Sequence, residues 1–223
     1  MAPLKVEQYV VGPVQTNCYF AVNDETKEMI LIDPGANADR LIQIIEEEKL
    51  NPVAILLTHG HFDHAGGAAE VAAHFGYGLG YIDTGLYHFG IKVYAEEHER
   101  ETLDDPKLNL SGWTGAETTY HADVFLKDEQ EFDLAGFHIR VLFTPGHTVG
   151  GCCYYFAYQD ALFSGDTLFA QSVGRTDFPK GSASALIRGI KEKLLPLPDE
   201  VTVYTGHNDT TTIGTERRYN PYL

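Results

Sequence analysis

Three histidines and an aspartate lie within six positions of one another, directly after a run of apolar residues. They are His59, His61, Asp63 and His64, and the apolar run covers residues 53–57. Imidazole nitrogens and carboxylate oxygens are ligands that zinc and other borderline divalent ions accept, and a short loop needs little ordering to bring them together. This spacing predicts a metal site, and a solvated polar loop is the weaker alternative.

Two later stretches of the chain end in the same way as the first. The apolar runs at residues 141–143 and 201–204 each lead to a histidine preceded by glycine, His147 and His207, and a further run leads to Asp166. Active sites of open α/β architectures gather outside the carboxyl ends of strands. We therefore expect these three side chains to face the loop that carries the first four.

The seven candidates are too many for one tetrahedral ion and suit two ions. With Asp166 as a bridge, the expected ligand sets are His59, His61 and His147 for one ion, and Asp63, His64 and His207 for the other. Two ions roughly 3.5 to 4 Å apart lower the pKa of a shared water and polarise a carbonyl. The pattern thus predicts metal-assisted hydrolysis with two divalent ions, zinc first, and iron or manganese as alternatives.

The other polar residues give weaker signals. Asp33 closes a strand before a Pro-Gly pair and is either a partner of a ligand histidine or a turn cap. Arg175 follows Asp166 shortly and is either an anion anchor for substrate binding or a salt-bridge partner only. Five histidines lack the strand-end glycine and are expected to be ordinary surface or satisfied residues: His74, His88, His98, His121 and His138.

The elements that must position these residues alternate between strand and helix patterns in two comparable sets. This alternation predicts a layered α/β protein with two packed sheets and helices outside, and one doubly wound sheet is the alternative. Helices are expected over residues 38–50, 65–75 and 183–195, and a short acidic helix over 96–103. The glycine-rich and aromatic residues 77–90 are expected to be an insertion, a surface loop by default and a lid or contact surface otherwise.

Composition narrows the class of protein. The length of 223 residues and the lack of a linker favour one domain over residues 1–223. With 16 basic and 32 acidic residues the formal net charge is -16, which opposes binding to nucleic acid and argues against a nuclease. The three cysteines are too few for a disulfide framework and are expected to be buried thiols.

The N-terminal residues show no leader pattern, and no apolar run approaches the roughly 18 residues that span a bilayer. We therefore expect a soluble, cytoplasmic protein whose partner is a small-molecule substrate, without a membrane or nucleic-acid partner. The oligomeric state is open.

A resemblance to the metallo-β-lactamase superfamily extends over nearly the whole chain and is carried by His59-x-His61-x-Asp63-His64, His147, Asp166 and His207. Residues 12–19, 144–148, 163–169 and 174–177 resemble the glyoxalase II-type, or hydroxyacylglutathione hydrolase-like, branch. The resemblance implies a four-layer αβ/βα sandwich of two packed mixed sheets. It also implies a bridging hydroxide that attacks a thioester carbonyl, typically of S-lactoylglutathione, with Asp63 both binding metal and orienting the hydroxide.

The chain resembles the short members of this branch, because it ends at Leu223, soon after His207. We expect no helical C-terminal domain, which in the longer enzymes supplies much of the glutathione grip, so the thiol half of the substrate is open. A persulfide dioxygenase-like protein with one iron on His59, His147 and Asp166 is an alternative. A lactonase and a non-catalytic, metal-stabilised binding protein are further alternatives.

Overall fold

The computed structural model of the chain describes residues 2–76, 78–82, 85–89 and 91–223. The strands up to residue 126 are β1 (Leu4–Val11), β2 (Thr16–Asn23), β3 (Glu28–Ile32), β4 (Asn51–Leu56), β5 (Gly78–Ile82), β6 (Gly85–Phe89), β7 (Lys92–Glu96) and β8 (Val124–Leu126). The helices of this part are α1 (Ala38–Glu47), α2 (Phe62–Ala65), α3 (Ala68–Phe75) and α4 (Arg100–Asp104). Six of the strands form a mixed sheet in the spatial order β1-β2-β3-β4-β7-β8, which we call the first sheet.

The rest of the chain builds a second sheet. Its strands are β9 (Glu131–Leu134), β10 (Phe137–Phe143), β11 (Cys152–Phe156), β12 (Ala161–Gly165), β13 (Leu168–Phe169), β14 (Ser172–Val173), β15 (Thr202–Thr205) and β16 (Thr211–Thr212). Its helices are α5 (Ala183–Gly189), which continues as a π-helical turn over Ile190–Leu194, and α6 (Ile213–Tyr219). The second sheet has the order β16-β15-β12-β11-β10-β9, and β13 pairs with β14 apart from it.

Three hydrophobic layers hold the sheets and helices together. Strand β2 shows why they form, since all eight of its residues are buried and successive side chains point to opposite faces. Cys18 and Phe20 pack in the layer beneath α1 and α3, whereas Tyr19 and Ala21 pack between the two sheets. A third layer lies between the second sheet and α5, where Leu186 is buried. The expected four-layer sandwich is confirmed, and the single doubly wound sheet is wrong.

Two local expectations differ from the structure. The helix expected over residues 65–75 is broken, because the N–H of Gly67 donates to the carbonyl oxygen of Pro34 at 2.9 Å instead of to the preceding helical turn. The resulting first piece, α2, begins at Phe62 and so includes two of the candidate ligands. Within the insertion expected as a loop over residues 77–90, the described residues form the antiparallel strand pair β5 and β6, and Tyr77, Asp83, Thr84 and Gly90 lie outside the described residues.

Four strands of the sandwich end at one edge. Strand β4 leads into the loop at residues 59–64, β10 into His147, β12 into Asp166 and β15 into His207. Both sheets therefore supply residues to a common cleft. The three cysteines are buried free thiols, as expected. Within the described ranges, every helix is too short or too polar to cross a membrane.

Candidate metal centre

The structure brings all seven candidate residues together at this edge, as two groups of three with Asp166 between them. We call His59, His61 and His147 the imidazole group, and Asp63, His64 and His207 the mixed group. Within each group, one ligand-type atom per residue lies within 4.8 Å of the others. This division is the one expected from the sequence for two ions.

The imidazole group is buried and its ring nitrogens converge. The Nδ1 atom of His61 lies 3.1 Å from His59 Nε2 and 3.0 Å from His147 Nε2. The three residues are only 2 to 4% exposed. The convergence results from the chain path, because two of the rings come from one loop and the third comes from the other sheet.

The mixed group lies beside it and is more open to solvent. His64 is fully buried, while the side chains of His207 and Asp63 are 18% and 13% exposed. The Oδ2 atom of Asp63 lies 3.4 Å from His207 Nε2 and 3.5 Å from His64 Nε2. This group therefore contains its own negative charge, which the imidazole group lacks.

Asp166 lies between the two groups. Its Oδ2 atom is 3.4 Å from His147 Nε2 and 3.5 Å from His207 Nε2, and its Oδ1 atom is 3.4 Å from His64 Nε2. A single carboxylate thus contacts members of both groups. Such a placement suits a bridging ligand.

The pKa values of the imidazole group are lowered. Burial is the largest cause for all three histidines, and the neighbouring imidazoles lower the pKa of His59 and His61 further. For His147, Asp166 opposes the effect of burial without cancelling it. Without a cation in the site, these rings are neutral at pH 7, which is the form that binds a metal ion.

The mixed group shows the opposite shifts. Burial opposes the charged form of His64, but Asp63, Asp166 and Asp33 outweigh it and raise its pKa well above the usual value. Burial also opposes charging of His207, whose hydrogen bonds to Asp166 and Asp63 raise its pKa to about 9. The histidines lower the pKa of both Asp63 and Asp166 against the effect of burial. In the metal-free protein, protons on these histidines balance the carboxylates.

The donor set fits two divalent ions by independent observations. Nitrogens bound to one tetrahedral ion at about 2.0 Å lie about 3.3 Å apart, close to the spacing within the imidazole group. Among the described side chains, the buried polar atoms without a hydrogen-bond partner are His64 Nε2, Asp166 Oδ1 and Gln159 Oε1. Two of these three are ligand-type atoms that face each other in the cleft, where a cation would satisfy both.

The candidate ligands are held by contacts to other residues. Asp33 Oδ2 lies 2.9 Å from His64 Nδ1, and the same carboxylate accepts hydrogen bonds from the backbone N–H and the hydroxyl of Thr58. Asp33 therefore contacts a candidate ligand histidine, which was one of its two expected roles. His147 Nδ1 donates to the carbonyl oxygen of Arg175 at 2.8 Å. These bonds orient each ring so that Nε2 points into the cleft.

The start of β2 and the residue before it also support the mixed group, which sequence reasoning missed. Thr16 is fully buried and its hydroxyl donates to Asp63 Oδ2 at 2.7 Å. The carbonyl oxygen of Gln15 lies 3.3 Å from His207 Nδ1. Gly206 allows this close packing, because a Cβ there would lie 2.2 Å from Asp166 Oδ1. The signal available was the stretch at residues 12–19, which carried the family resemblance without indicating a contact.

The other histidines lie apart from the cleft. His74 contacts Glu46, His98 contacts Glu96 and His138 contacts Asp133. His121 is exposed beside Asp123. These four are paired surface histidines, as expected, and the side chain of His88 lies outside the part that the structure describes.

Arg175 forms the salt bridge that was one of its two expected roles. Its guanidinium forms two hydrogen bonds of 2.7 Å to Asp177 and lies 4.2 Å above the ring of Phe178. The Phe178 ring in turn packs edge-on against His61 and His147. The salt bridge is therefore formed, and it lies at the rim of the cleft.

A sandwich of two mixed sheets with a histidine- and aspartate-rich cluster at its strand ends is the architecture of metal-dependent hydrolases, with divalent ions as cofactors. The sequence model described as the metallo-beta-lactamase superfamily matches residues 11–207. The chain belongs to this superfamily, as the resemblance of its motifs indicated.

Similar proteins agree with this assignment. The chain is 38% identical to the probable metallo-hydrolase YqgX of Bacillus subtilis over 222 residues, which cover 99% of this chain and 98% of that protein. It is also 38% identical to the hydroxyacylglutathione hydrolase GloC of Haemophilus influenzae over 226 residues, 99% of this chain and 98% of GloC. The similarity to GloC agrees with the expected branch.

Solved structures share the fold over almost the whole chain. The crystal structure of BLEG-1 B3 metallo-beta-lactamase has a TM-score of 0.87 at 41% identity, and the match covers 98% of this chain and 99% of that one. The structure of TTHA1623 in a di-iron-bound form has a TM-score of 0.80 at 34% identity, with 97% and 100% covered.

Proposed function

We propose that the protein is a binuclear metal-dependent hydrolase that cleaves small acyl thioesters of the S-lactoylglutathione type. The observation that carries the proposal is the pair of ligand groups with Asp166 between them. The similarity to GloC, a hydroxyacylglutathione hydrolase, supports a thioester as substrate. Held in the two groups, two divalent ions would polarise a carbonyl oxygen and lower the pKa of a water molecule, with zinc as the first candidate and iron or manganese as alternatives.

The residues of the chain prepare the cleft for this reaction. Thr16 fixes the carboxylate of Asp63 by donating to Oδ2, so that Asp63 can orient the attacking water. The carbonyl of Arg175 and the carboxylate of Asp33 fix His147 and His64. Because these supports exist in the folded chain, little reorganisation is needed when the substrate binds.

The rim of the cleft offers an apolar surface and a cation. Trp113 is 70% exposed and packs edge-on against Phe178. We propose that this aromatic pair contacts the apolar part of the substrate. We propose also that Arg175 binds a carboxylate group of the substrate in place of the carboxylate of Asp177. Replacing Arg175 with Ala should then raise KM about tenfold for a thioester with a carboxylate and leave KM unchanged for an uncharged thioester.

Thioesterase activity is tested by following thiol release from a panel of acyl thioesters, with lactones and glutathione persulfide as competing substrate classes. We expect release of thiol from S-lactoylglutathione, loss of at least about a thousandfold in rate after chelation, and recovery when divalent ions return. Elemental analysis of the purified protein identifies the metal. His147→Ala should lose metal and turnover, whereas the surface variant His74→Ala should keep both.

The outcomes separate the candidate functions. Undiminished thiol release without metal would refute the metal-dependent mechanism. Oxygen consumption with glutathione persulfide, together with a single iron, would favour the mononuclear dioxygenase alternative, and cleavage of lactones alone would favour a lactonase. The mixed group supports two ions over one, because it supplies three ligand-type residues that a mononuclear centre would leave unused.

A further inference from the structure

One buried carboxylate close to the cleft belongs to neither group. Glu99 is fully buried at the end of the 3-10 turn Glu97–Glu99, just before α4. Its Oε1 accepts the N–H of Gly60 at 2.7 Å, and its Oε2 accepts the hydroxyl of Thr148 at 2.9 Å and the N–H of Gly150 at 2.7 Å. Burial raises the pKa of Glu99 to about 7, against the effect of these hydrogen bonds. The donors that hold this carboxylate are uncharged.

The two loops that Glu99 joins supply every member of the imidazole group. Gly60 separates the two histidines of the first loop, and Thr148 and Gly150 follow His147 on the second. One carboxylate oxygen binds the first loop and the other oxygen binds the second. The rigid carboxylate therefore sets how far apart the two loops lie.

Both loops pack closely against the turn that carries Glu99. A Cβ at Gly150 would lie 2.1 Å from the backbone nitrogen of Glu99, and a Cβ at Gly60 would lie 2.9 Å from the side chain of Leu103. The glycines thus let both loops approach the same turn closely. A buried N–H that loses its acceptor in such a place cannot find water as a replacement, so the loop must shift instead.

We propose that Glu99 is a positioning residue for the imidazole group, and that its carboxylate sets the affinity of this group for its ion by holding the two loops in register. The proposal rests on the metal binding put forward under the proposed function, and it does not depend on which substrate is cleaved. Supporting residues that hold metal ligands from behind typically contribute 10- to 100-fold to metal affinity. Here the support acts through the backbone of the loops.

The same segment contains a matched control. Glu96 is 1% exposed, so it is almost as buried as Glu99. Its carboxylate accepts the backbone N–H of His98 at 2.7 Å and contacts His98 Nδ1 at 2.9 Å. Those contacts are local to the turn and involve neither ligand loop. Glu96→Gln therefore makes the same chemical change at a buried carboxylate without altering the hydrogen bonds that Glu99 forms to the two ligand loops.

The experiment compares wild type, Glu99→Gln and Glu96→Gln in competition titrations of Zn²⁺ against a chromophoric chelator, which give a dissociation constant for each ion. The constant that belongs to the imidazole group is the one that His61→Ala abolishes. Glutamine can accept with its oxygen on one side only, and its amide nitrogen opposes a donor on the other. We expect Glu99→Gln to raise this constant by about 10- to 100-fold and to leave the other within about threefold. Glu96→Gln should change neither.

A spectroscopic readout accompanies the affinities. The visible absorption of bound Co²⁺ reports ligand geometry, and we expect it to change in Glu99→Gln and to remain as in wild type in Glu96→Gln. If Glu99→Gln does not fold, Thr148→Val removes one donor to the carboxylate and should raise the same constant about threefold.

Three results would overturn the proposal. Unchanged constants in Glu99→Gln with a lower melting temperature would make Glu99 a purely structural residue. Equal losses of affinity for both ions in Glu99→Gln, with the same losses in Glu96→Gln, would show a general effect of removing a buried charge. A wild-type protein that binds no divalent ion would remove this proposal together with the metal-dependent function, whereas failure of the thioester assay alone would leave the titration valid.

Discussion

The imidazole group and the mixed group lie side by side in one cleft but are stabilised in different ways. The imidazole group is deeply buried, contains no carboxylate, and has lowered pKa values because burial disfavours protonated rings. The mixed group is more exposed and carries its own carboxylate, so its histidines have raised pKa values. The difference shows two ways in which a ligand group can suit a cation. Burial can keep the rings of the group unprotonated, or carboxylates within the group can balance the positive charge.

The supports of the two groups differ as well. Backbone groups hold the imidazole group, through the carbonyl of Arg175 and the peptides bound to Glu99. Side chains give the short contacts to the mixed group, through the carboxylate of Asp33 and the hydroxyl of Thr16, while the carbonyl of Gln15 lies farther from His207 at 3.3 Å. Variants of single side chains should therefore affect the two groups separately, except where a residue is shared.

Replacing the shared residue Asp166 with Asn should have the largest effect, because it weakens both groups at once. The variant loses the charge that faces His147, His64 and His207. We expect less than two bound ions per chain and a fall in turnover of at least about a thousandfold, or about 4 kcal/mol in transition-state stabilisation. Elemental analysis and the thiol-release assay measure these changes. The surface variant Asp133→Asn, whose carboxylate pairs with His138 away from the cleft, serves as control, and an Asp166→Asn protein that keeps both ions would contradict a bridging role.

The next largest effect is expected for Asp33→Asn, and it should be larger at the mixed group, because Asp33 contacts His64 directly but reaches His59 only through the hydroxyl of Thr58. Asp33 has φ of 52°, a left-handed conformation that Asn also tolerates, so the backbone can stay in place. The weaker acceptor at His64 Nδ1 should raise the dissociation constant of the ion in the mixed group by about 10- to 100-fold. The chelator titration measures it. Loss at the imidazole group instead would abolish the distinction between the two groups.

Replacing Thr16 with Val should give a smaller effect, because it removes one hydrogen bond to Asp63 and leaves the shape of the side chain almost unchanged. We expect kcat to fall about tenfold, which corresponds to about 1.4 kcal/mol, with KM little changed. Thr16→Ser retains the hydroxyl and should keep most of the activity. If Val and Ser behaved alike, the hydroxyl would have no part in orienting Asp63.

The layers of the fold and the seven candidate residues could be predicted because both depend on local patterns. Each candidate comes from a loop after an apolar run that is long enough to show strand character, and the alternation along β10 separates the two faces of a sheet. Strands such as β8 and β16 have three and two residues and are too short for a periodicity. Their place in a sheet depends on neighbours that are distant in the chain.

The residues that support the ligands could not be predicted, because their contacts also depend on residues that are distant in the chain. Glu99 lies in the stretch expected as a short acidic helix, and its carboxylate is held by residues 39 and 51 positions away. Thr16 contacts Asp63 across 47 positions. The Pro-Gly context of Asp33 marks a strand end and left two roles open, a partner of a ligand histidine or a turn cap. Only the packing of β3 beside β4 brings its carboxylate to His64.

The smallest effect is expected outside the cleft, at the pair of His98 and Glu96, where a carboxylate also raises the pKa of a histidine. The hydrogen bond and charge of Glu96 stabilise the protonated ring, so this contribution is fully present below the unfolded pKa of about 6.5 and is lost as pH rises through the higher folded pKa. Since the side chain of His98 is 59% exposed, solvent screening limits the contribution to below about 0.5 kcal/mol.

The variant His98→Gln should therefore be less stable than wild type by a difference that is larger at acidic pH and shrinks as pH rises. The ring of His98 also stacks on Phe143, and losing that contact adds a part that does not vary with pH. Denaturant unfolding of both proteins between pH 5.5 and 9, at fixed metal occupancy, separates the two parts. A difference that grows with pH would mean that Glu96 does not favour the charged ring, and the raised pKa values of the mixed group would then need a cause other than neighbouring carboxylates.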